Sequence, residues 1–278
     1  GGSCETGGRR IGPRRSWGST SPCSWPRRAS RRPGTGPCPR GTTWCRMPCA
    51  ARARSIRSLV AEGGVFCDVG AHVGSYAVPM ASHVGPAGTV HAVEPFRRVA
   101  QLLTANVAIN GLGNVFVHQV ALGSAAESRL VRSPALGRAN NLGGTPVFGQ
   151  PPQEWSREHV VQYEGEEEVR VATLDSLGLG SLDLLKVDVE GALERVLAGA
   201  RQTLARARPL LAVESLGPRP PTEGVLGDLQ YRCEEVIKAH HLWLCVPGER
   251  WQEFSWAAFF GQEFGGSTYR RKPVRVGR

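Results

Sequence analysis

One carboxylate stands at the end of an apolar run in the first third of the chain, and small residues follow it at once. Residues 65–76 read VFCDVGAHVGSY, so Asp68 precedes Gly70 and Gly74. Glycines at such positions allow a tight turn and a close approach to a ligand, and a helix beginning after them presents unpaired N–H groups. This combination suits a ligand that carries both an ammonium and a carboxylate. For Asp68 alone, a carboxylate satisfied within an ordinary strand-to-helix turn is the alternative.

A second acid lies where a nucleoside could be recognised. Glu94 ends the apolar stretch TVHAVE about 20 residues after Gly74, and an acid at this spacing accepts hydrogen bonds from ribose hydroxyls. NAD and S-adenosyl-L-methionine both contain a ribose, so Glu94 does not choose between them. The glycine spacing argues against NAD, because GAHVG differs from the G-x-G-x-x-G turn that binds a pyrophosphate. S-adenosyl-L-methionine, which also carries an ammonium and a carboxylate, is therefore the favoured ligand.

Three charged residues alternate along a later apolar stretch. Lys186, Asp188 and Glu190 in LLKVDVEG share one face of a strand, because alternate residues of a strand point the same way. Charges inside a sheet that is covered on both faces are costly unless they pair or line a cavity. Asp188 and Glu190 would reach the carboxyl end of the strand beside Asp68, which makes them the candidate catalytic residues. A purely structural pair of Lys186 with Asp188 is the alternative.

These residues need a scaffold that brings strand ends together. Predicted strands cover residues 65–69, 89–94, 115–122, 169–174, 182–189 and 209–214, and predicted helices cover residues 73–83, 95–110 and 192–207. This alternation is typical of an α/β fold with a doubly wound, mostly parallel sheet and helices on both faces. Two last strands, at residues 231–237 and 241–246, are predicted to form an antiparallel hairpin at the edge of the sheet.

Residues 124–168 do not fit a simple crossover between parallel strands. Structureless loops longer than about 15 residues are uncommon and are often functional. We expect a lid or a substrate-facing insertion here, with short strands at residues 128–132 and 160–163, and a plain surface excursion is the alternative. The acidic run EGEEE at residues 164–168 is expected to be a solvated loop.

The basic charge of the chain is concentrated at its beginning. Of a net charge of +10, residues 1–58 contribute 13 Arg and one acid, which leaves 21 basic and 23 acidic residues for the rest. Residues 59–278 are thus near neutral, which argues against nucleic acid as the partner of the domain expected at residues 59–265. Residues 1–58 are rich in Arg, Pro and Gly and are expected to be disordered; an organelle-targeting peptide or an arm that binds nucleic acid or membrane is the alternative. Residues 266–278 are expected to form a basic tail.

Cysteine usage and hydropathy bear on the cellular compartment. Five of the eight cysteines lie within residues 1–58 without a matched metal-ligand spacing, and Cys67, Cys233 and Cys245 stand in apolar runs, as expected of core thiols. No apolar run approaches the roughly 20 residues needed to cross a membrane. We therefore expect an intracellular, most simply cytoplasmic protein without a membrane span or a bound metal. The sequence leaves its oligomeric state open.

Five segments, in this order and spacing, resemble the FkbM family of S-adenosylmethionine-dependent methyltransferases. They are VFCDVGAHVGSYAVPMA, TVHAVEP, ANVAINGLGNVFVHQVALG, LDLLKVDVEGALERVLAGA and RPLLAVES, and they cover about residues 65–214, with a weaker resemblance up to residue 246. The resemblance implies a Rossmann-like class I methyltransferase fold with a seven-stranded sheet. It also implies S-adenosyl-L-methionine as the cofactor. The positions implied to bind this cofactor are Asp68, Gly70, Ala71, Gly74, Glu94 and Ala121.

The resemblance further implies the type of reaction, since members of the family methylate hydroxyl oxygens of small molecules such as polyketides and sugars. Asp188 and Glu190 would then orient or deprotonate a hydroxyl of a small molecule or glycan. The chain departs from the family pattern E-G-x-E, because Leu193 stands where the second acid is usual, and Glu194 lies about 100° further around the helix. A cofactor-binding module without turnover is therefore one alternative, and a methyltransferase acting on RNA or protein is another.

Overall fold

The computed structural model describes residues 56–136, 140–149, 161–215, 224–237, 241–256 and 259, so most of both predicted tails lies outside the described residues. The strands are β1 Val65–Val69, β2 Thr89–Val93, β3 Val115–His118, β4 Ala121–Leu122, β5 Glu127–Pro134, β6 Tyr163–Ala172, β7 Leu184–Val187, β8 Leu210–Glu214, β9 Tyr231–Ile237 and β10 Leu242–Pro247. The α-helices are α1 Ala77–Val84, α2 Arg97–Ile109, α3 Leu193–Ala198, α4 Arg201–Ala207 and α5 Gly224–Asp228. Within the described ranges, no helix is both long and apolar enough to cross a membrane.

Seven strands form the central sheet in the order β3-β2-β1-β7-β8-β10-β9. The first five run parallel to one another, and β10 is antiparallel to both β8 and β9. The predicted fold class is confirmed. From β1 the sheet extends to β2 on one side and to β7 on the other, so the strand order reverses at β1. Ligands typically bind beyond the carboxyl ends of the strands at such a reversal. We call the carboxyl ends of β1, β2 and β7 the switch-point edge; it holds Asp68, Glu94 and Asp188.

Both faces of the central sheet are buried along β1, β7 and β8, and neighbouring apolar residues of these strands alternate between two apolar clusters. Phe66 packs with Met80 of α1 on one face, and Cys67 packs with Leu185 and with Leu197 of α3 on the other. Strands that are covered on both faces carry almost continuous apolar runs. This explains why the central strands could be recognised in the sequence.

Much of the predicted insertion is a second sheet of order β4-β6-β5. The predicted strand at residues 115–122 is wrong in its last part, because β3 ends at His118 and the next two strand residues pair with β6 instead. The predicted loop at residues 164–168 is also wrong, since these glutamates lie in β6 and pair with β5. Strand formation is favoured here because Val169 and Val171 of β6 are buried against an apolar cluster.

Residues 192–207 form two helices rather than the single helix that the sequence predicts. A Cβ atom on Gly199 would lie only 2.0 Å from the carbonyl oxygen of Gly123, so the two backbones are in close contact where α3 ends. The carboxylate of Asp175 then accepts a hydrogen bond of 2.7 Å from the backbone N–H of Thr203 in the first turn of α4. Both contacts involve residues far away in the sequence, which a helical pattern cannot reveal.

The C-terminal hairpin corrects the cysteine prediction. Cys233 of β9 and Cys245 of β10 stand directly opposite each other and form a disulfide, so the prediction that both are core thiols is wrong. Directly opposed residues of antiparallel strands bring their side chains close together, and a sequence does not show that register. Cys67 is free and buried, as predicted. The cysteines of the described residues therefore do not support the earlier expectation of a reducing, intracellular compartment.

Candidate active site

The turn after β1 is fixed by contacts with both neighbouring strands. The backbone N–H groups of Gly70 and Ala71 donate hydrogen bonds of 3.0 and 2.9 Å to the carbonyl oxygen of Val93. Gly70 has a φ of 80°, and a Cβ atom on it would lie 1.9 Å from the carbonyl oxygen of Asp188. The end of β7 thus requires a glycine at this position.

Gly74 allows α1 and α2 to approach each other. It has a φ of 94°, and a Cβ atom on it would lie 2.8 Å from Cδ1 of Leu103 and 3.0 Å from Cγ2 of Val78. The contacts of Gly70 and Gly74 are thus with the protein itself. That their backbone also approaches a cofactor stays a prediction.

Glu94 follows β2 and is nearly completely buried, with 5% of its surface exposed. Its two carboxylate oxygens accept hydrogen bonds from the backbone N–H groups of His72 at 2.9 Å and Phe96 at 3.1 Å. Glu94 therefore ties the turn after β1 to the start of α2. Burial raises the pKa of Glu94 to about 7, although the two N–H donors favour the charged carboxylate and oppose this rise.

Lys186 of β7 joins two of the predicted site residues. Its side chain is 2% exposed, and its Nζ lies 3.2 Å from Oδ1 of Asp68 and 3.3 Å from Oδ2 of Asp188. The ammonium also lies 4.5 Å from the centre of the Tyr76 ring. Burial lowers the pKa of Lys186, but the carboxylates of Asp188 and Asp68 outweigh this effect and raise it overall, so the lysine is charged. The suspected pair of Lys186 with Asp188 exists, and Asp68 completes it as a triad.

The acids of this edge differ in their access to solvent. The side chain of Asp68 is completely buried, whereas that of Asp188 is 35% exposed. Glu190 is half-buried two residues beyond Asp188. Burial raises the pKa of Glu190 to about 8, and the negative charges of Asp188 and Glu214 contribute to this rise. A carboxyl group with such a pKa can take up and release a proton near neutral pH, as a general base requires.

Sequence reasoning missed three residues at this edge: His72, Tyr76 and Glu214. The His72 backbone has a φ of 52°, and its Nε2 atom is buried without a hydrogen-bond partner among the described residues. No sequence signal indicates this conformation, which is uncommon outside glycine. Glu214 gave the same signal as Glu94, an acid at the end of an apolar strand, and could have been found.

The remaining predicted positions lie on either side of the carboxylates. Ala121 of β4 is buried in an apolar cluster with Phe96, the residue whose N–H group bonds to Glu94. Leu193 begins α3 and packs against the apolar cluster of the central sheet that contains Cys67 and Leu197. The Glu194 carboxylate approaches α5, because a Cβ atom on Gly224 would lie 3.4 Å from its Oε2. Glu194 is thus directed toward α5.

The strand order, five parallel strands followed by β10 antiparallel to its neighbours, is that of the Rossmann-like methyltransferase fold. A family model described as the methyltransferase FkbM domain matches residues 68–244. The chain belongs to this family. A comparison with curated proteins gives no match.

Several solved methyltransferase structures are similar to this chain. The FkbM methyltransferase from Methylobacillus flagellatus KT is 16% identical, with a TM-score of 0.44, and the match covers 67% of this chain and 43% of that one. This chain thus spans less than half of that protein. A precorrin-6y C5,15-methyltransferase from Geobacter metallireducens GS-15 is 15% identical, with a TM-score of 0.40 and coverage of 70% and 84%. The O-methyltransferase TomG from Streptomyces achromogenes, solved with SAM, is 13% identical, with a TM-score of 0.39 and coverage of 72% and 79%.

Proposed function

We propose that this chain binds S-adenosyl-L-methionine at the switch-point edge and transfers its methyl group to a hydroxyl oxygen of a small molecule or glycan. The observation that carries the proposal is the position of the half-buried Glu190, two residues beyond the partly exposed Asp188 at the carboxyl end of β7, where burial raises the pKa of Glu190 to about 8. Transfer to oxygen requires a group that accepts the hydroxyl proton. Glu190 meets this requirement at the strand end where a substrate would bind.

The residues of the edge fit the proposed cofactor. Each Glu94 oxygen accepts one N–H bond and keeps a lone pair, so the carboxylate can also accept bonds from two ribose hydroxyls. The methionine ammonium would meet the carboxylates of the triad, of which Asp188 is partly exposed and Asp68 is buried in an ion pair with Lys186. Gly70, Ala71 and Gly74 would form the turn beneath the methionine, and Ala121 would lie beside the adenine.

The cofactor supplies a methyl group on a positively charged sulfur. Transfer of this methyl group to a hydroxyl oxygen would require the hydroxyl proton to leave. The carboxylate of Glu190 would accept this proton. Asp188 would accept a hydrogen bond from a second polar group of the acceptor and so help to hold the reacting oxygen in line with the methyl group.

The pH dependence of methyl transfer tests the role of Glu190. A panel of sugars, phenols and alkyl alcohols, with amines for comparison, is assayed by the formation of S-adenosylhomocysteine. Because Glu190 must lose its proton to act as a base, we expect the rate to rise about tenfold between pH 7 and pH 9. Glu190→Gln should lower the rate by about 100-fold or more and remove this rise.

Glu164→Gln is the matched control, because Glu164 is an exposed glutamate of β6 that pairs with Arg98. It should keep both the rate and its pH dependence. Full activity of Glu190→Gln would contradict Glu190 as the base, and transfer to amines alone would contradict a hydroxyl acceptor.

A second candidate function is a module that binds the cofactor without turning it over. Leu193 favours it, because an apolar residue packs where similar sequences carry a second acid. This candidate predicts binding of S-adenosyl-L-methionine but no S-adenosylhomocysteine with any member of the panel. A methyltransferase acting on RNA or protein would form that product only with those acceptors.

A further inference from the structure

Two histidines stand side by side on the central sheet, outside the candidate active site. His91 belongs to β2 and His118 is the last residue of β3, the edge strand. The register places His91 opposite Phe116 and Val93 opposite His118, so the two imidazoles are diagonal neighbours on one face. Side chains alternate along β2, which directs His91 and the following Glu94 to opposite faces.

The two imidazoles are in direct contact. Nδ1 of His91 lies 3.1 Å from Nε2 of His118, and the ring centres are 5.3 Å apart. Both rings are half-buried, and the neighbouring Phe116, which stacks on His91 at 5.6 Å, is 54% exposed. The pair can thus be reached from solvent. Burial lowers the pKa of both histidines.

We propose that His91 and His118 form a two-histidine binding site for a divalent transition-metal ion such as Zn²⁺, Ni²⁺ or Cu²⁺. Imidazole nitrogens bind Zn²⁺ at about 2.0–2.1 Å, so two nitrogens on one ion are about 2.9–3.4 Å apart at ligand angles of about 90–110°. The observed nitrogen–nitrogen distance of 3.1 Å falls within this interval. To bind the ion, both rings turn their lone pairs toward it, and the proton between the two nitrogens moves to another ring nitrogen.

The chemistry of the pair selects the kind of ion. Neutral imidazole prefers Zn²⁺, Ni²⁺ and Cu²⁺, whereas Mg²⁺ and Ca²⁺ prefer oxygen ligands. The described part of the chain contains no group of three or more potential metal ligands, so the other coordination positions of the ion would be left to water or to an external ligand. The site therefore binds an exchangeable ion rather than one locked into the fold.

Calorimetry with Zn²⁺ and electron paramagnetic resonance with Cu²⁺ test this site on the full chain. We compare the wild type with His91→Ala and His118→Ala, and His83→Ala serves as a control because His83 lies on α1 and contacts Val60. The expected result is one equivalent of Zn²⁺ that each site variant weakens at least tenfold and the control keeps. Bound Cu²⁺ should show hyperfine coupling to two nitrogens in the wild type and not in the site variants.

Two results would overturn the proposal. One is the absence of Zn²⁺ binding up to millimolar concentration, and the other is binding of the same stoichiometry and affinity in both site variants. The melting temperature of each variant is measured first, and His91→Gln replaces His91→Ala if the alanine variant does not fold. The site is independent of methyl transfer, because it uses no residue of the switch-point edge.

Discussion

Lys186 is a single buried cation between two carboxylates, and it determines the charge balance of the candidate site. Asp68 is completely buried, and Lys186 provides the ion pair that compensates its charge. Removal of one partner of a buried ion pair leaves the other charge without compensation, which costs far more than the loss of an exposed pair. Lys186 thus keeps Asp68 and Asp188 in place while remaining out of reach of a ligand itself.

Lys186→Met should therefore lower the free energy of unfolding by about 3–5 kcal/mol. Arg201→Met is the control, since the pair of Arg201 with Asp228 is more than half exposed and should contribute less than about 1 kcal/mol. Urea unfolding followed by circular dichroism measures both changes. Similar losses in the two variants would show that the triad does not have this structural role.

Glu94 should make the stability of the fold depend on pH. Its pKa is about 7 in the folded state against an ordinary value of 4.5, so the folded state holds the proton more tightly than the unfolded state. The contribution of Glu94 to stability is thus fully present below pH 4.5 and is lost as the pH rises through 7. The loss amounts to about 3 kcal/mol.

Glu94→Gln cannot ionise and should flatten this part of the stability profile. The free energy of unfolding is measured for both proteins between pH 5 and pH 8. The wild type should lose more stability over this interval than the variant. Equal slopes in the two proteins would rule out Glu94 as the source of the pH dependence.

At this scale the sequence predicted the acids and, as an alternative, the pair of Lys186 with Asp188, but not the other contacts of these acids. Asp68, Glu94 and Asp188 were found because each stands at or beyond the end of an apolar strand. The bond of Lys186 to Asp68 depends on β1 lying beside β7, two strands that are more than 100 residues apart in the chain. The N–H group of His72, whose φ is positive, likewise bonds to Glu94, which lies 22 residues further along the chain.

Among the elements, the turn between β1 and α1 restricts the residue type most strictly. Gly70 combines a positive φ with direct contact to the end of β7. Gly111, after α2, has a similar φ of 66°, but a Cβ atom on it would meet no other atom within 4 Å among the described residues. Alanine substitutions at these two glycines therefore separate the free-energy cost of the left-handed backbone conformation from the free-energy cost of a steric collision.

Gly111→Ala should cost about 1–2 kcal/mol for the left-handed conformation alone. Gly70→Ala should cost about 1–3 kcal/mol more, because its new methyl group collides with the carbonyl oxygen of Asp188. Denaturant unfolding of both variants gives the difference. An equal cost at the two positions would mean that the end of β7 can move away from the turn.

The elements that the sequence predicted well are those whose burial is uniform. The central strands carry continuous apolar runs and were found to within a few residues. The break between α3 and α4 was missed because it depends on Gly123 and Asp175, which meet these helices only in the folded protein. The sequence predicts a loop in place of the first half of β6 because four of the ten residues of this strand are glutamate and only Val169 and Val171, in its second half, are buried.

At the scale of the whole molecule, the alternation of strands and helices was sufficient to predict the fold class. The family match over residues 68–244 coincides with the central sheet and the second sheet. The disulfide between Cys233 and Cys245 was beyond prediction because it depends on the register of one hairpin. The domain bounds at residues 59–265 and the roles of the basic segments stay predictions.

Binding of S-adenosyl-L-methionine to the intact protein, measured by calorimetry, tests the central claim most directly. NAD is the control ligand, and Glu94→Ala is compared with Glu253→Ala, which changes an exposed glutamate far along the chain. A melting curve confirms that each variant is folded, and Glu94→Gln replaces the alanine variant if it is not. We predict micromolar binding that Glu94→Ala weakens about tenfold or more, or about 1.4 kcal/mol, while Glu253→Ala and NAD show no such effect. A folded protein that does not bind S-adenosyl-L-methionine, or binds it equally well without Glu94, would contradict the proposed site.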